Sequence, residues 1–285
     1  MAGITFVSRA IHLTIPAEGT EPPNPARPEL NLLRRDVDGM QRAWEHELPT
    51  LQALAAQGGV SRQFLQDVVQ EYYWRGVSYA AGCWMMLNEQ LGIPFVPIMR
   101  SLYEAYLALA FLSDRSDADR VREAQIATAH QWFHVLWQID EDRRDDPGGT
   151  IRAEVEDVLR ELGASIPADV LDVARGRRSC FSWTGLNVAD LVARYDPKNP
   201  YYALYSGLSS LGHGHHRLIA RHVMQWSSEN FERQAAHARR RLRLVRRLMQ
   251  DTLALRFSDA TIDEYLEGDT MIVRLPHANI RAHRP

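Results

Sequence analysis

The sequence predicts an all-α protein, a single bundle of about eight helices with short terminal segments that can pair as β-strands. Two observations lead to this fold class. Apolar residues recur at helical spacing through most of the chain, and clusters of Gly, Pro, Ser and Asp separate the stretches in which they recur. The 285-residue chain is 45% apolar and 24% charged, an ordinary globular balance that supports a large core.

Three segments follow from this pattern. We expect an N-terminal extension with a Pro-rich link at 1–28, the helical bundle at 29–257 and a C-terminal extension at 258–285. Residues 3–15 alternate loosely between apolar and polar types and form one candidate strand, and 270–280 form the other. The Pro-rich link cannot be helical, so the bundle begins after it.

Helical periodicity defines the elements of the bundle in order. Four long helices are predicted at 29–57, 61–91, 95–113 and 117–141. A charged, turn-rich stretch at 141–150 is predicted to be a loop. Shorter helices are predicted at 151–163 and 167–176, within the stretch FSWTGLNVADLVARYDPKNP, and at 201–212 and 217–226. Ser228 is the predicted start of a last long helix that ends near Phe257.

The charge balance argues against several classes of partner. The formal net charge is −3, so no global positive field would hold the protein on nucleic acid or on an anionic membrane. Cys83 and Cys180 lack metal-type spacing, which argues against a disulfide scaffold and a cysteine-based zinc site. The N-terminus lacks a secretory pattern, and the apolar window 91–112 contains Arg100 and Glu104, so we expect a cytoplasmic protein without a membrane span.

Arg100 and Glu104 are the only charged residues in the apolar window 91–112. Their four-residue spacing places them on one face of a helix. Arg75 is likewise the only charge in the apolar stretch YYWRGVSYAAGCWMML. Because an unpaired charge is costly to bury, we expect each of these groups to find polar partners.

An uncharged segment, 199–216, offers such partners. It carries Tyr202, Ser206, Ser209 and His213 at steps of four, three and four residues, which makes a polar stripe on one helix face. If this stripe packs against the Arg100 and Glu104 face, a carboxylate, a guanidinium, an imidazole and hydroxyls meet in an apolar surround suited to proton transfer. The alternative is a satisfied structural network with no chemical role.

Three short motifs occur in order along the chain. They are RSLYE at 100–104, Trp183 with Gly185, and a Tyr- and Ser-containing segment with Tyr205, Ser209 and a final His213-Gly214. In this arrangement the chain resembles a bacterial family of helical domains of unknown function. The resemblance covers about residues 60–225 and implies a helical domain without an established reaction.

The helical character of that family invites comparison with HEPN domains, many of which are metal-independent ribonucleases that use an Arg-x4–6-His motif. Arg217 and His222 match this spacing. The chain is rich in arginine, so about four such matches are expected by chance and the motif is weakly specific. A ribonuclease of this type would be a homodimer with Arg217 and His222 facing their symmetry mates. The basic run HARRRLRLVRR could contact phosphate, but its apolar stripe favours a solvated face for the arginines.

His130 and His134 lie four residues apart on a predicted helix and could bind one metal ion. With Glu104 or Glu123 they would form a two-His, one-carboxylate site for iron or manganese. Amphipathic helices often carry such His pairs without a metal. We therefore predict no cofactor and keep iron or manganese as an alternative.

The sequence thus predicts a partly enclosed pocket for a small polar or anionic ligand. Its predicted lining is Arg75, Arg100, Glu104, Trp183, Tyr205, Ser209 and His213. His213 and Glu104 would exchange protons, Arg100 would hold negative charge, and the aromatic side chains would exclude water. A ribonuclease, a non-haem metal enzyme and a non-catalytic binding or regulatory module are the alternatives.

Overall fold

The computed structural model describes residues 26–141, 144–180, 182–197 and 228–255. These residues form helices and connecting turns and contain no strand, which confirms the predicted all-α class. They divide into two compact units. Of the described residues, unit 1 contains 26–48, 70–109 and 228–255, and unit 2 contains the described parts of 49–69 and 110–197. Both candidate terminal strands lie outside the described residues.

Helix α1, Pro28–Asn88, is a hairpin of two helical arms. Pro28 stands in the first turn, where its missing N–H needs no partner. The arms meet at Gly59, whose φ of 73° lies in the left-handed region that favours glycine. The two ends of α1 lie next to each other in unit 1, where Arg27 donates a hydrogen bond to the Asn88 carbonyl at 3.2 Å.

Unit 1 is completed by α2, Gly92–Ser113, of which 92–109 belong to this unit, and by α7, Ser228–Thr252. The predicted core stripe of the last helix is confirmed. Ala235, Ala238, Leu242, Val245 and Met249 are all fully buried. Gly76 of α1 lies so close to Val245 that an added Cβ would stand 2.7 Å from its Cγ1.

Unit 2 contains four helices that lie between α2 and α7 in the chain. They are α3 at Asp117–Asp140, α4 at Thr150–Gly163, α5 at Ala168–Gly176 and α6 at Val188–Tyr195. Ser116 caps α3 by accepting from Asp119 N at 3.3 Å, and Asn187 caps α6 by accepting from Asp190 N at 2.9 Å. Both α4 and α5 pack against α3, so α3 is the central helix of this unit.

The predicted helix positions are close to those observed, with three corrections. The helix predicted at 61–91 ends at Asn88, since Gln90 has a φ of 57°. Helix α2 begins at Gly92 and not at 95, because Pro94 falls within its first turn, where a missing N–H costs no helical bond. Helix α7 ends at Thr252 and not near Phe257: Ala254 has a φ of 55°, which breaks the helical path. The predicted helices at 201–212 and 217–226 lie outside the described residues.

The apolar stretch Pro94–Ser113 is the one helical segment of the described residues that is long and apolar enough to cross a membrane. Of this segment, 72% is buried inside the protein. The core helix of a soluble protein has the same length and composition.

Candidate functional site

Arg100 and Glu104 form an ion pair on α2. Arg100 Nε donates to Glu104 Oε1 at 2.9 Å, and the two side chains are 29% and 27% exposed. The sequence predicted that these charges share a helix face and need partners, and each is a partner of the other. Their partial exposure differs from the deep burial that the apolar window suggested. A half-buried pair of this kind remains within reach of a ligand.

A buried arginine of α7 lies against the same stretch of α2. The guanidinium of Arg241 stands 4.8 Å from the ring centroids of both Tyr103 and Tyr106, and only 5% of Arg241 is exposed. The two rings stack on each other with centroids 5.8 Å apart. The faces of aromatic rings attract a cation, so these tyrosines help to hold a guanidinium inside the protein.

His237 lies one helical turn before Arg241 on α7. Burial lowers its pKa below the ordinary value, and the positive charges of Arg241, Arg240 and Arg233 lower it further. A depressed pKa leaves the imidazole neutral near pH 7 and therefore able to accept a proton.

Unit 1 therefore carries, on α2 and α7, a carboxylate, two guanidinium groups and a neutral imidazole. Guanidinium groups bind carboxylates and phosphates through paired N–H donors. A partly buried carboxylate and an imidazole are the usual groups for proton transfer. Chemically, these groups can bind an anion and exchange protons with it.

A second charged network in unit 1 is closed to solvent. Arg246 donates to both oxygens of Glu47, at 3.1 and 2.6 Å, and the two side chains are 3% and 6% exposed. Arg246 also donates to the hydroxyl of Tyr73 at 3.4 Å, and burial raises the pKa of this tyrosine to about 12. Trp44 stacks on Tyr73 at 5.1 Å. This buried network therefore has a structural role, since it joins α1 to α7.

About three turns before Glu47 on α1, Asp36 receives two further arginines of α7. Its carboxylate is 2% exposed and accepts from Arg239 at 2.9 Å and from Arg243 at 2.8 Å. The charges that join α1 to α7 therefore come from segments that are roughly two hundred residues apart in the chain.

Arg75 does not occupy the buried position that we expected. Its side chain is 49% exposed, it pairs with Glu71, and its guanidinium lies over the ring of Tyr72. The expectation of a buried lone charge is wrong because Glu71 stands one helical turn earlier, just before the apolar stretch that contains Arg75.

Trp183 belongs to unit 2, whereas Arg100 and Glu104 belong to unit 1. The indole is 6% exposed and meets Phe111 edge to face, with ring centroids 5.3 Å apart. Arg177 donates to the Trp183 carbonyl at 2.8 Å and to Glu123 at 3.1 Å. These contacts make Trp183 part of the packing of unit 2.

The turn after Trp183 depends on Gly185. Its φ is 71°, and an added Cβ would stand 3.0 Å from Arg177 Nε. Ser182 and Thr184 share a hydrogen bond of 2.8 Å within the same turn. Trp183-Thr184-Gly185 thus forms a tight turn that closes over Arg177.

His130 and His134 stack with ring centroids 5.7 Å apart, but their nitrogens face backbone carbonyls. His130 Nε2 lies 3.2 Å from the Arg177 carbonyl, and His134 Nδ1 lies 2.7 Å from the Arg178 carbonyl. Glu123, one of the proposed third ligands, is bound to Arg177. Among the described residues, no three side chains of the His, Cys, Asp or Glu type are placed to hold a metal ion, so these residues do not fit the iron or manganese site.

Other predicted site residues lie outside the described residues. They are Tyr205, Ser209, His213, Arg217 and His222. Their position relative to Arg100 and Glu104 therefore stays a prediction.

The sequence reasoning missed Arg241 and Arg246, because it assigned the arginines of the last helix to a solvated face. That assignment is wrong for these two, which as whole residues are 5% and 2% exposed. A signal was present. Arg241 follows Ala238 by three residues, and Arg246 follows Leu242 by four, so both share the helical spacing of the buried stripe.

Comparisons with curated proteins and with solved structures gave no significant match. A protein-family model, described as a family of unknown function (DUF5677), matches residues 66–232. The match includes all of α2 and the Trp183 turn, and it reaches the first residues of α7. Because the match covers more than half of the chain, this protein belongs to the DUF5677 family.

Proposed function

We propose that this protein is a cytoplasmic enzyme that acts on a small polar or anionic molecule by acid-base chemistry at the Arg100–Glu104 pair. The observation that supports the proposal is the half-buried ion pair itself, with Nε and Oε1 2.9 Å apart on an otherwise apolar helix. Removing part of such a pair from water costs hydration energy that the attraction between its charges does not fully return, so stability alone does not account for charge at this position.

The charges around the pair favour an anionic ligand. Arg100 would bind a carboxylate or phosphate group, because the planar guanidinium matches these anions with paired N–H donors. Tyr103 and Tyr106 lie on the same helix as Arg100 and contact Arg241 of α7. Arg241 adds a second positive charge to unit 1. Two guanidinium groups would stabilise negative charge that develops on the substrate.

Proton transfer is assigned to Glu104 and His213. Glu104 would act as the general base or the general acid. His213 would take the opposite role if the segment that contains it packs on α2. The hydroxyls of Tyr205 and Ser209 would orient the substrate by hydrogen bonds. Arg75 is omitted from this set, since it is exposed and paired with Glu71.

The test compares two Arg–Glu pairs that have the same spacing. Purified wild-type protein, Glu104→Gln and Glu71→Gln are each incubated with an extract of small metabolites, and mass spectrometry follows the loss of each species. Glu71 is the matched control, because its pair with Arg75 is also four residues apart on a helix surface. We expect wild type and Glu71→Gln to consume the same anionic species and Glu104→Gln to consume it at least about a hundredfold more slowly.

Equal consumption by Glu104→Gln and wild type would contradict the assignment of Glu104. If no species is consumed by the wild-type protein, the acid-base proposal fails, and a non-catalytic binding or regulatory module becomes the better description.

A HEPN-like ribonuclease is the second candidate, and the arginines of α7 favour it. Arg233, Arg240, Arg243 and Arg247 are exposed, so guanidinium groups recur along one surface of α7 although the net charge of the chain is −3 and two of them already pair with Asp36 and Asp251. RNA phosphates would bind such a surface. We would expect a homodimer that degrades total RNA without added metal, and His222→Ala should abolish the cleavage. Intact RNA, or equal cleavage by His222→Ala, would exclude this candidate.

A further inference from the structure

Unit 2 contains a groove that has no part in the function proposed above. It lies among α3, α4 and α5, has a volume of about 380 Å³ and is open to solvent on one side. Pockets for small ligands measure about 300–1,000 Å³, so its size is sufficient for a small molecule. The residues that line it are Phe133, Leu136, Asp140, Glu156, Leu159, Arg160, Leu171, Arg175 and Arg178.

Four of the residues that line the groove are apolar. Leu136 comes from α3, Leu159 from α4 and Leu171 from α5, and all three side chains are partly exposed. Phe133 adds an aromatic ring, over which the guanidinium of Arg175 lies at 5.2 Å from the centroid. The partly exposed leucines of three helices form an apolar surface that the apolar part of a ligand could cover.

The two acids of the lining share one arginine that lies outside the groove. Arg152 does not line it, but donates to Asp140 at 2.6 Å and lies 3.8 Å from Glu156. Arg152 offsets one of the two negative charges, and the lining itself contains three arginines against these two acids, so positive charge is in excess along the groove.

Three arginines stand along the groove. Arg160 and Arg175 pair with Asp157 and Asp172, acids of their own helices, in exposed contacts of 2.6 and 3.3 Å. Exposed pairs of this type are weak and exchange readily with other anions. Arg178 makes no ion pair in the described part of the chain, and its carbonyl is held by His134 Nδ1 at 2.7 Å. The backbone of Arg178 is therefore held in place, and its exposed side chain lines the groove.

We propose that this groove binds a small amphipathic anion, a molecule with an apolar or aromatic body and one carboxylate, sulfonate or phosphate group. The body covers Phe133 and the leucines, and the acidic group pairs with Arg178 and displaces the weak partner of Arg175. Apolar contact and a charge-assisted hydrogen bond then act on one ligand.

The test uses two fluorescent probes on the full-length protein. One is 8-anilinonaphthalene-1-sulfonate, an aromatic anion, and the other is N-phenyl-1-naphthylamine, which has the same ring system without the sulfonate. Wild type should bind the sulfonate at one site per chain and more tightly than the neutral probe. Arg178→Gln should weaken sulfonate binding about three- to tenfold and leave the neutral probe unchanged.

Arg144→Gln is the matched control, since Arg144 is an exposed arginine of unit 2 that does not line the groove. It should bind both probes as wild type does. Arg175→Gln provides a second variant and should also weaken the sulfonate alone. The proposal is overturned if neither Arg178→Gln nor Arg175→Gln changes sulfonate affinity, or if the neutral probe binds wild type as tightly as the sulfonate does.

Discussion

Arginine side chains enter the interior of unit 1 where carboxylates or aromatic rings receive them. Arg246 is bound by Glu47, and Arg241 lies against two tyrosine rings. A guanidinium removed from water loses a large hydration energy, which only close counter-charges and hydrogen bonds can offset. The energetic importance of each arginine therefore depends on its burial more than on the number of its ion pairs.

The Glu47–Arg246 pair provides the first prediction. Glu47→Gln leaves the guanidinium of Arg246 buried without its counter-charge, and breaking a buried pair in this way costs about 3–5 kcal/mol. We expect urea-induced unfolding to show a loss of that size. In the control, Arg247→Gln removes the partner of Asp251 at a position that is 79% exposed and should cost less than about 0.5 kcal/mol. A loss at Glu47 no larger than the loss at Arg247 would contradict the structural role of the buried pair.

His130 gives a prediction about pH. Burial lowers its pKa below the ordinary 6.5, and the charges of His134 and Arg177 act in the same direction, against hydrogen bonds to the Arg177 and Cys180 backbone. As the pH falls, the His130 imidazole is therefore protonated at a higher pH in the unfolded chain than in the folded protein. The free energy of unfolding should fall as the pH drops below about 6.5, until the folded imidazole is also protonated.

His130→Gln removes this contribution. Its unfolding free energy should depend less on pH between 7.5 and 5.5 than that of wild type, as measured by denaturant titration at both pH values. An unchanged slope would show that His130 has the same pKa in the folded and unfolded states.

At the scale of single elements, tight turns depend on a few glycines. Gly59 reverses α1 into a hairpin, and Gly185 closes the turn over Arg177. Each has a positive φ that other residues adopt at a cost. Gly176, at the end of α5, has no neighbouring atom within 4 Å of an added Cβ. The effect of a Gly→Ala change should therefore differ sharply between Gly185 and Gly176.

Gly185→Ala should destabilise the protein by about 1–2 kcal/mol, because alanine must adopt a left-handed backbone beside Arg177. Gly176→Ala should be neutral or stabilising by up to about 1 kcal/mol, since alanine is the better helix former. Thermal melts of the two variants provide the comparison. Equal melting temperatures would show that the Gly185 turn adapts without strain.

The elements are predictable from sequence because their signals are local. Three- and four-residue apolar spacing defined the helices. The clusters of Gly, Pro, Ser and Asp between them, which include Pro28, Gly59 and Ser116, lie within a few residues of the observed beginnings and breaks. The end of α7 was misplaced, since the positive φ of Ala254 has no sequence signature. Alanine is a good helix former, and its neighbours gave no stop signal.

For the molecule as a whole, the polar partners could not be predicted, because they depend on contacts between distant segments. The sequence identified Arg100 and Glu104, whose pairing is local. It could not show that Asp36 receives Arg239 and Arg243, which lie more than two hundred residues later. Nor could it show that Arg241 enters the interior, since charge patterning alone places an arginine-rich helix face in water.

We expect the purified protein to contain little iron or manganese. His134 Nδ1 donates to the Arg178 carbonyl, and His134 Nε2 accepts from Gln138 at 3.1 Å, so both nitrogens of this ring are in use. Protein purified without a chelator should therefore contain iron and manganese at well below one atom per chain. Elemental analysis that finds either metal near one atom per chain, and finds it lost in His134→Ala, would restore the metal-enzyme hypothesis.

The central claim is that Glu104 serves a ligand and is not required for folding. Residues that serve function are often suboptimal for stability, so their replacement leaves stability unchanged or raises it. The most direct measurement is the melting temperature of Glu104→Gln beside that of wild type. A value equal to wild type or higher is the predicted result. A fall of more than about 4 °C, which is the effect of losing roughly 1 kcal/mol or more in a chain of this size, would show instead that the Arg100–Glu104 pair is structural.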